Sequence, residues 1–129
     1  MAKLNIVGDD AAATRATFEG LRGQLGLVPN LYRIVGNSPA ALQGHLGLVG
    51  ALGRGLLPAA LRERIALLSA ETNGCDYCLS AHSVLGAGAG LSAAAIEAAR
   101  GGEAEDAKDQ AALDLARALL ANQGRGAQR

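Results

Sequence analysis

Apolar residues recur at three- and four-residue intervals along nearly the whole chain, which is the period of helices rather than strands. Phe18, Leu21 and Leu25 make a short stripe, with Asp9 and Asp10 near the start of its helix. "GLVPNLYRIVGNSP" reads as a connector with a short helix between Pro29 and Pro39. A second long helix begins at Pro39 or Ala40, carries Leu42, Leu46, Val49 and Ala51 or Leu52 near one face, and ends at "GRGLL". Pro58 sits where a first helical turn tolerates proline, and Leu61, Ile65, Leu68 and Thr72 follow at helical spacing. Asn73-Gly74 is a stop, because both residues accept a left-handed cap conformation. The next helix starts around Cys75 and runs to Gly86, where "GAGAG" breaks the chain. Ser92 is an N-cap for a helix through Arg100. A last helix covers roughly Glu105 to Ala121, with Ala112, Ala116 and Leu119 on one face, before a frayed "NQGRGAQR". No strand and no long-period repeat emerges. The expectation is an all-α fold in a single domain spanning residues 1–129. "GAGAG" is not a dinucleotide loop, since no strand precedes it and the full glycine spacing is missing.

Composition narrows the reading. The chain has 129 residues, half of them hydrophobic but only three aromatic. Its core must therefore be built from Leu, Ala, Val and Ile. Alanine-rich helices are thin, and such chains complete their cores across subunits, so a homo-oligomer is expected. Twelve acidic and twelve basic residues cancel, which removes the bulk electrostatic case for nucleic acid or an anionic membrane. No apolar run has the length of a membrane span, and "MAKLNIVGDDAAATRATF" lacks the apolar core of a secretory signal. The expected location is the cytoplasm, where a close cysteine pair is more often catalytic or metal-binding than structural.

The chain's only two cysteines and one of its two histidines fall in "ETNGCDYCLSAH". Cys75, Cys78 and His82 are three and four residues apart, which places all three on one face of a helix, with Leu85 continuing that stripe. If the chain folds back at Asn73-Gly74, Glu63 lies about as far from the turn on one side as His82 does on the other. Glu63 shares its face with Leu67 and Ala70, so it need not point to open solvent. A helix start offers free N–H groups and partial positive charge that favour a thiolate. A nearby histidine can take the proton, and Glu63 can orient or recharge it. Residues three apart on a helix have Cβ atoms roughly 5–6 Å apart, whereas a disulfide needs roughly 3.5–4.5 Å. A Cys75–Cys78 disulfide therefore needs a local adjustment in the first turn, and should open easily.

Other chemistries meet obstacles. A structural zinc site would use Cys75, Cys78 and His82 but needs a fourth ligand, and the chain has no second cysteine pair. Covalent haem attachment needs histidine directly after the second cysteine, where Leu79 stands. A thioredoxin fold needs a strand before the pair. The plainest alternative, two buried small side chains, leaves the spaced histidine and placed glutamate unexplained. The expectation is no metal and no cofactor.

Glu63, then Cys75-Asp76-Tyr77-Cys78, then His82 resembles the core of the AhpD-like alkylhydroperoxidases within the carboxymuconolactone decarboxylase superfamily. "GLVPNLYRIVGNSPAAL" and "LRERIALLSAETNGCDYCLSAH" are similar to its peroxidase-related branch, and the likeness runs from about Leu25 to about Ala121. The resemblance implies an AhpD-like all-helical fold whose central antiparallel helix hairpin carries a CxxCxxxH motif, and a homo-oligomer. It implies that Cys78 attacks the peroxide, that Cys75 resolves, and that His82 and Glu63 relay protons. It also implies an external dithiol reductant, a dihydrolipoyl group by family expectation. Tyr77 stands where the best-studied members carry a histidine. As a possible accessory it can hydrogen-bond a peroxide, but packing of its ring is the favoured expectation. Relatives often continue with further C-terminal helices, whereas this chain stops soon after Leu120. The decarboxylase branch generally lacks the cysteine pair.

The expected function is thiol-dependent reduction of (alkyl) hydroperoxides. The alternative is a redox-sensing or stress-response interaction protein using the same reversible pair; a purely structural oligomer is a third class. His45 is expected to be a partly buried, hydrogen-bonded structural residue. Arg62 and Arg64 are expected to be solvated or interfacial charges, and Glu71 is less well placed than Glu63.

Overall fold

The computed structural model describes residues 4–125, and these form seven helices and no strand. The helical periodicity of the sequence thus translates into an all-α fold. By its internal contacts the chain divides into two compact units, one up to Arg54 and one from Gly55 onward. The closing "NQGRGAQR" is a turn as far as Arg125, and its last four residues lie outside the described residues.

The first unit holds α1 (Arg15–Leu25), α2 (Asn30–Val35) and α3 (Pro39–Gly53). Gly26 ends α1 in a left-handed conformation, φ 76°, and its N–H donates to the Arg22 carbonyl. Ser38 caps α3 by accepting the Ala41 N–H, with Pro39 in the first turn. Both ends follow from residue type alone. Phe18, Leu21, Val28 and Leu42 form the core, with Val7, Tyr32, Val35 and Leu46 packed on it. The Arg33 guanidinium stacks over the Phe18 ring at 5.5 Å and pairs with Asp9 at 2.7 Å. Hydrogen bonding from Arg33, with Arg22 beside it, holds the Asp9 carboxyl below its ordinary value.

Three expectations for this unit change. Leu25 is exposed rather than part of the buried stripe, because the chain turns away directly after it. Val49 and Leu52 are exposed as well, since within this unit α3 buries only its first half. His45 is exposed rather than partly buried, and its ring lies tilted against Tyr32 with centroids 5.7 Å apart.

The second unit holds α4 (Ala59–Thr72), α5 (Asp76–Gly88), α6 (Ala93–Arg100) and α7 (Ala107–Ala121). Helix α4 is central and packs against each of the other three. That explains why it buries Leu61, Leu67, Leu68 and Ala70 on several sides. Leu67, Leu91 and Ala99 make one core cluster, joined by Ala60, Leu79, Ala95 and Ile96. Ser92 and Asp106 cap α6 and α7 by accepting backbone N–H groups. On α7 the buried residue is Leu113, and Leu119 is exposed, so the packed face is rotated from the expected Ala112–Ala116–Leu119 line. Leu67 has no exposed surface. Leu67→Ala is expected to cost about 2–5 kcal/mol of stability, read as a lowered midpoint in urea unfolding. A loss below about 1 kcal/mol would mean that the site collapses around the missing side chain.

Candidate functional site: a dithiol and a carboxylate–imidazole pair on a helix hairpin

The hairpin turns where its residues require it. Asn73 ends α4, and Gly74 takes φ 61°, a left-handed conformation that glycine adopts without strain. The Cys75 N–H donates back to the Ala70 carbonyl at 2.9 Å. Helix α5 then starts at Asp76, with Cys75 as its N-cap. Cys75 Sγ accepts the Cys78 N–H at 3.2 Å. The sulfur thus occupies the place that a serine or aspartate oxygen takes in an ordinary cap.

Cys75 and Cys78 are joined as a disulfide, with Cα atoms 5.3 Å apart. The first turn of α5 accommodates the closed pair because Cys75 lies outside the helix proper. Its extended-side backbone, φ −96° and ψ 90°, frees it from the fixed spacing of two helical residues.

Glu63 and His82 meet across the hairpin. Glu63 Oε2 lies 2.8 Å from His82 Nδ1, and both side chains are largely shielded, at 20% and 33% exposure. A carboxylate can only accept, so Nδ1 carries the proton and donates. That leaves Nε2 of a neutral His82 as the basic nitrogen. Shielding strengthens the contact beyond that of a surface pair.

Gly86 lies one turn beyond His82 and is buried, and a Cβ there would meet Leu91 Cδ1 at 3.3 Å, Ile96 Cγ1 at 3.7 Å and Glu63 Cβ at 3.8 Å. The distances to Ile96 and Glu63 are ordinary van der Waals contacts, and only the Leu91 side chain would have to give by a few tenths of an ångström. The glycine-rich "GAGAG" predicts a chain break here. The helix runs on through Gly86 to Gly88, and the turn falls at Ala89-Gly90, where Gly90 has φ 93°. The available signal was the position of Gly86 four residues after His82, on the same stripe.

Two further side chains depart from expectation. Leu85 is 47% exposed and does not continue the stripe inward; Gly86 and Leu79 occupy the inner face. Tyr77 is 50% exposed, so its ring does not pack into the interior of this chain. At about 100° per residue, Tyr77, Ala81, Val84 and Leu85 form an outward apolar sector adjoining the Cys78–His82 line. Val84 is also exposed.

The charged neighbours of Glu63 are structural. Arg64 is largely buried rather than solvated: its Nη1 donates to the Ala95 carbonyl at 3.5 Å. Asp109 Oδ2 lies 3.4 Å from its Nε, close enough for charge pairing but not aligned as a hydrogen bond. Arg62 reaches the Leu57 carbonyl. Glu71 pairs with Arg100 at 2.7 Å and tethers the end of α4 to α6. Among the described residues, no group of three or more His, Cys, Asp and Glu side chains is arranged to hold a metal ion. No described helix is long and apolar enough to cross a membrane.

An all-helical fold with a cysteine pair opening one helix of a hairpin, and a carboxylate–imidazole pair bridging the two helices, defines a helical dithiol protein. The chain belongs to the carboxymuconolactone decarboxylase family, whose model matches residues 38–121. No curated protein and no solved structure matches it.

Proposed function

We propose that the protein is a thiol-dependent hydroperoxide reductase, in the peroxidase-related branch of its family. The observation that carries this reading is the 2.8 Å Glu63–His82 contact on the hairpin that also carries the dithiol. A purely structural cysteine pair has no need of a shielded, oriented base on the same helix. In the reduced protein, His82 Nε2 takes the Cys78 proton while Glu63 holds the Nδ1–H. The Cys78 thiolate attacks the terminal oxygen of a hydroperoxide and the O–O bond breaks. The leaving alkoxide takes the proton from His82, and Cys78 becomes a sulfenic acid. Cys75 attacks that sulfur, hydroxide leaves and is protonated to water, and the Cys75–Cys78 disulfide forms. An external dithiol, such as a dihydrolipoyl group, returns two electrons and two protons.

The apolar sector of Tyr77, Ala81, Val84 and Leu85 beside Cys78 supports an organic hydroperoxide, whose alkyl part gains by leaving water. We place this cycle in a homo-oligomer in the cytoplasm, where dithiol reductants are kept reduced. The cycle itself needs no metal or cofactor.

Stopped-flow oxidation of the reduced protein by cumene hydroperoxide, followed by turnover with dihydrolipoamide, tests the proposal. Fast oxidation with sustained turnover is the expected result. Slow oxidation accompanied by a change of assembly state would make the cysteine pair a redox sensor instead.

A further inference from the structure

The two sulfurs of the disulfide are not equivalent, and their difference decides how electrons enter. Cys75 Sγ is the N-cap acceptor of α5 and already receives the Cys78 N–H at 3.2 Å. Charge that develops on this sulfur faces the free N–H groups of the first turn and the positive end of a thirteen-residue helix. Cys78 lies inside the first turn, where its backbone N–H is the donor to Cys75 and its sulfur gains no equivalent cap. One helical turn on from Cys78 is His82, bound to Glu63 at 2.8 Å. With His82 protonated, Glu63 offsets the added charge. Asp76 opposes negative charge on Cys75, but its side chain is exposed, and water screens it.

We infer that the reductant attacks Cys78 Sγ and that Cys75 leaves as the thiolate. This rests on the dithiol-recycled reading above and assigns the order of its reductive half. Disulfide exchange is fastest when the departing thiolate is the better stabilised one. A reductant thiolate forms a bond to Cys78 Sγ while the Cys75–Cys78 bond breaks, and its electron pair goes to Cys75 Sγ. The second thiolate of the reductant then attacks the reductant's own sulfur in the mixed disulfide. The Cys78–reductant bond breaks, the reductant departs as a disulfide, and Cys78 leaves as a thiolate that takes, by way of His82, the proton given up by the reductant's second thiol. Cys78 is thus the reacting sulfur in both halves of the cycle, and Cys75 holds the negative charge between them.

The oxidised protein treated briefly with glutathione, quenched in acid and capped with N-ethylmaleimide tests this by peptide mass spectrometry. Glutathione is expected on Cys78 and maleimide on Cys75, in roughly tenfold excess over the reverse pattern. A majority of glutathione on Cys75, or an even split, overturns the assignment. A second measurement compares single-thiol variants: iodoacetamide at neutral pH should label Cys75 in Cys78→Ser faster than Cys78 in Cys75→Ser. Equal or reversed rates also overturn it. Neither experiment contains a peroxide, so failure of peroxide turnover and failure of this inference are separately visible.

Discussion

Cys78→Ser is expected to abolish hydroperoxide turnover, while Cys75→Ser is expected to consume about one equivalent of peroxide and then stop. The difference follows from the order of bond making proposed above. Without the Cys78 sulfur no sulfenic acid forms. Without Cys75 the sulfenic acid forms once but has no thiol three residues away with which to condense. Both variants should fold. Serine is a good N-cap at position 75, where its oxygen can accept the Cys78 N–H in place of Sγ. Position 78 is only partly buried, and serine there changes little volume. Circular dichroism checks the fold, and dimedone trapping followed by mass spectrometry reads the sulfenic acid. Wild-type turnover in Cys78→Ser would remove this residue from the peroxide step.

Glu63→Gln is expected to lower turnover by a factor on the order of 10²–10⁴, the usual scale of a positioned acid–base partner. The amide is nearly the same shape and can still meet His82, so the fold should survive. What it removes is the negative charge 2.8 Å from Nδ1, and an amide that can donate as well as accept no longer fixes the tautomer. If the two residues act as one relay, Glu63→Gln combined with His82→Asn should cost little more than either change alone. Additive losses would mean independent roles, and an unchanged Glu63→Gln rate would return Glu63 to a structural role.

Much of this site was legible before the fold was known, because its main constraint is local. The turn at Asn73-Gly74 is written in two residues, and a helix hairpin about a known turn pairs positions at equal distance from it. Glu63 and His82 meet for that reason. The capping residue Ser92 was equally readable, since a cap depends on a side chain and the three residues after it. Arg64, on the same helix as Glu63, is a case that local sequence does not decide. A charged side chain reads as solvated until a second and third helix close over it, and here Ala95 of α6 and Asp109 of α7 do so.

The sequence by itself determined that the chain is helical, where most helices begin, and that two thiols, an imidazole and a carboxylate converge on one hairpin. These follow from periodicity, capping and spacing, all of which act within about twenty residues of chain. Only the tertiary structure decided which faces are buried: Leu113 rather than Leu119 on α7, and Gly86 rather than Leu85 on α5. Burial depends on what packs against a helix: α7 packs on α4, three elements earlier in the chain, and α5 packs on both α4 and α6. Gly86 shows the reason most directly. As a local signal glycine breaks a helix, but here it is buried against Leu91, Ile96 and Glu63, and the helix continues past it.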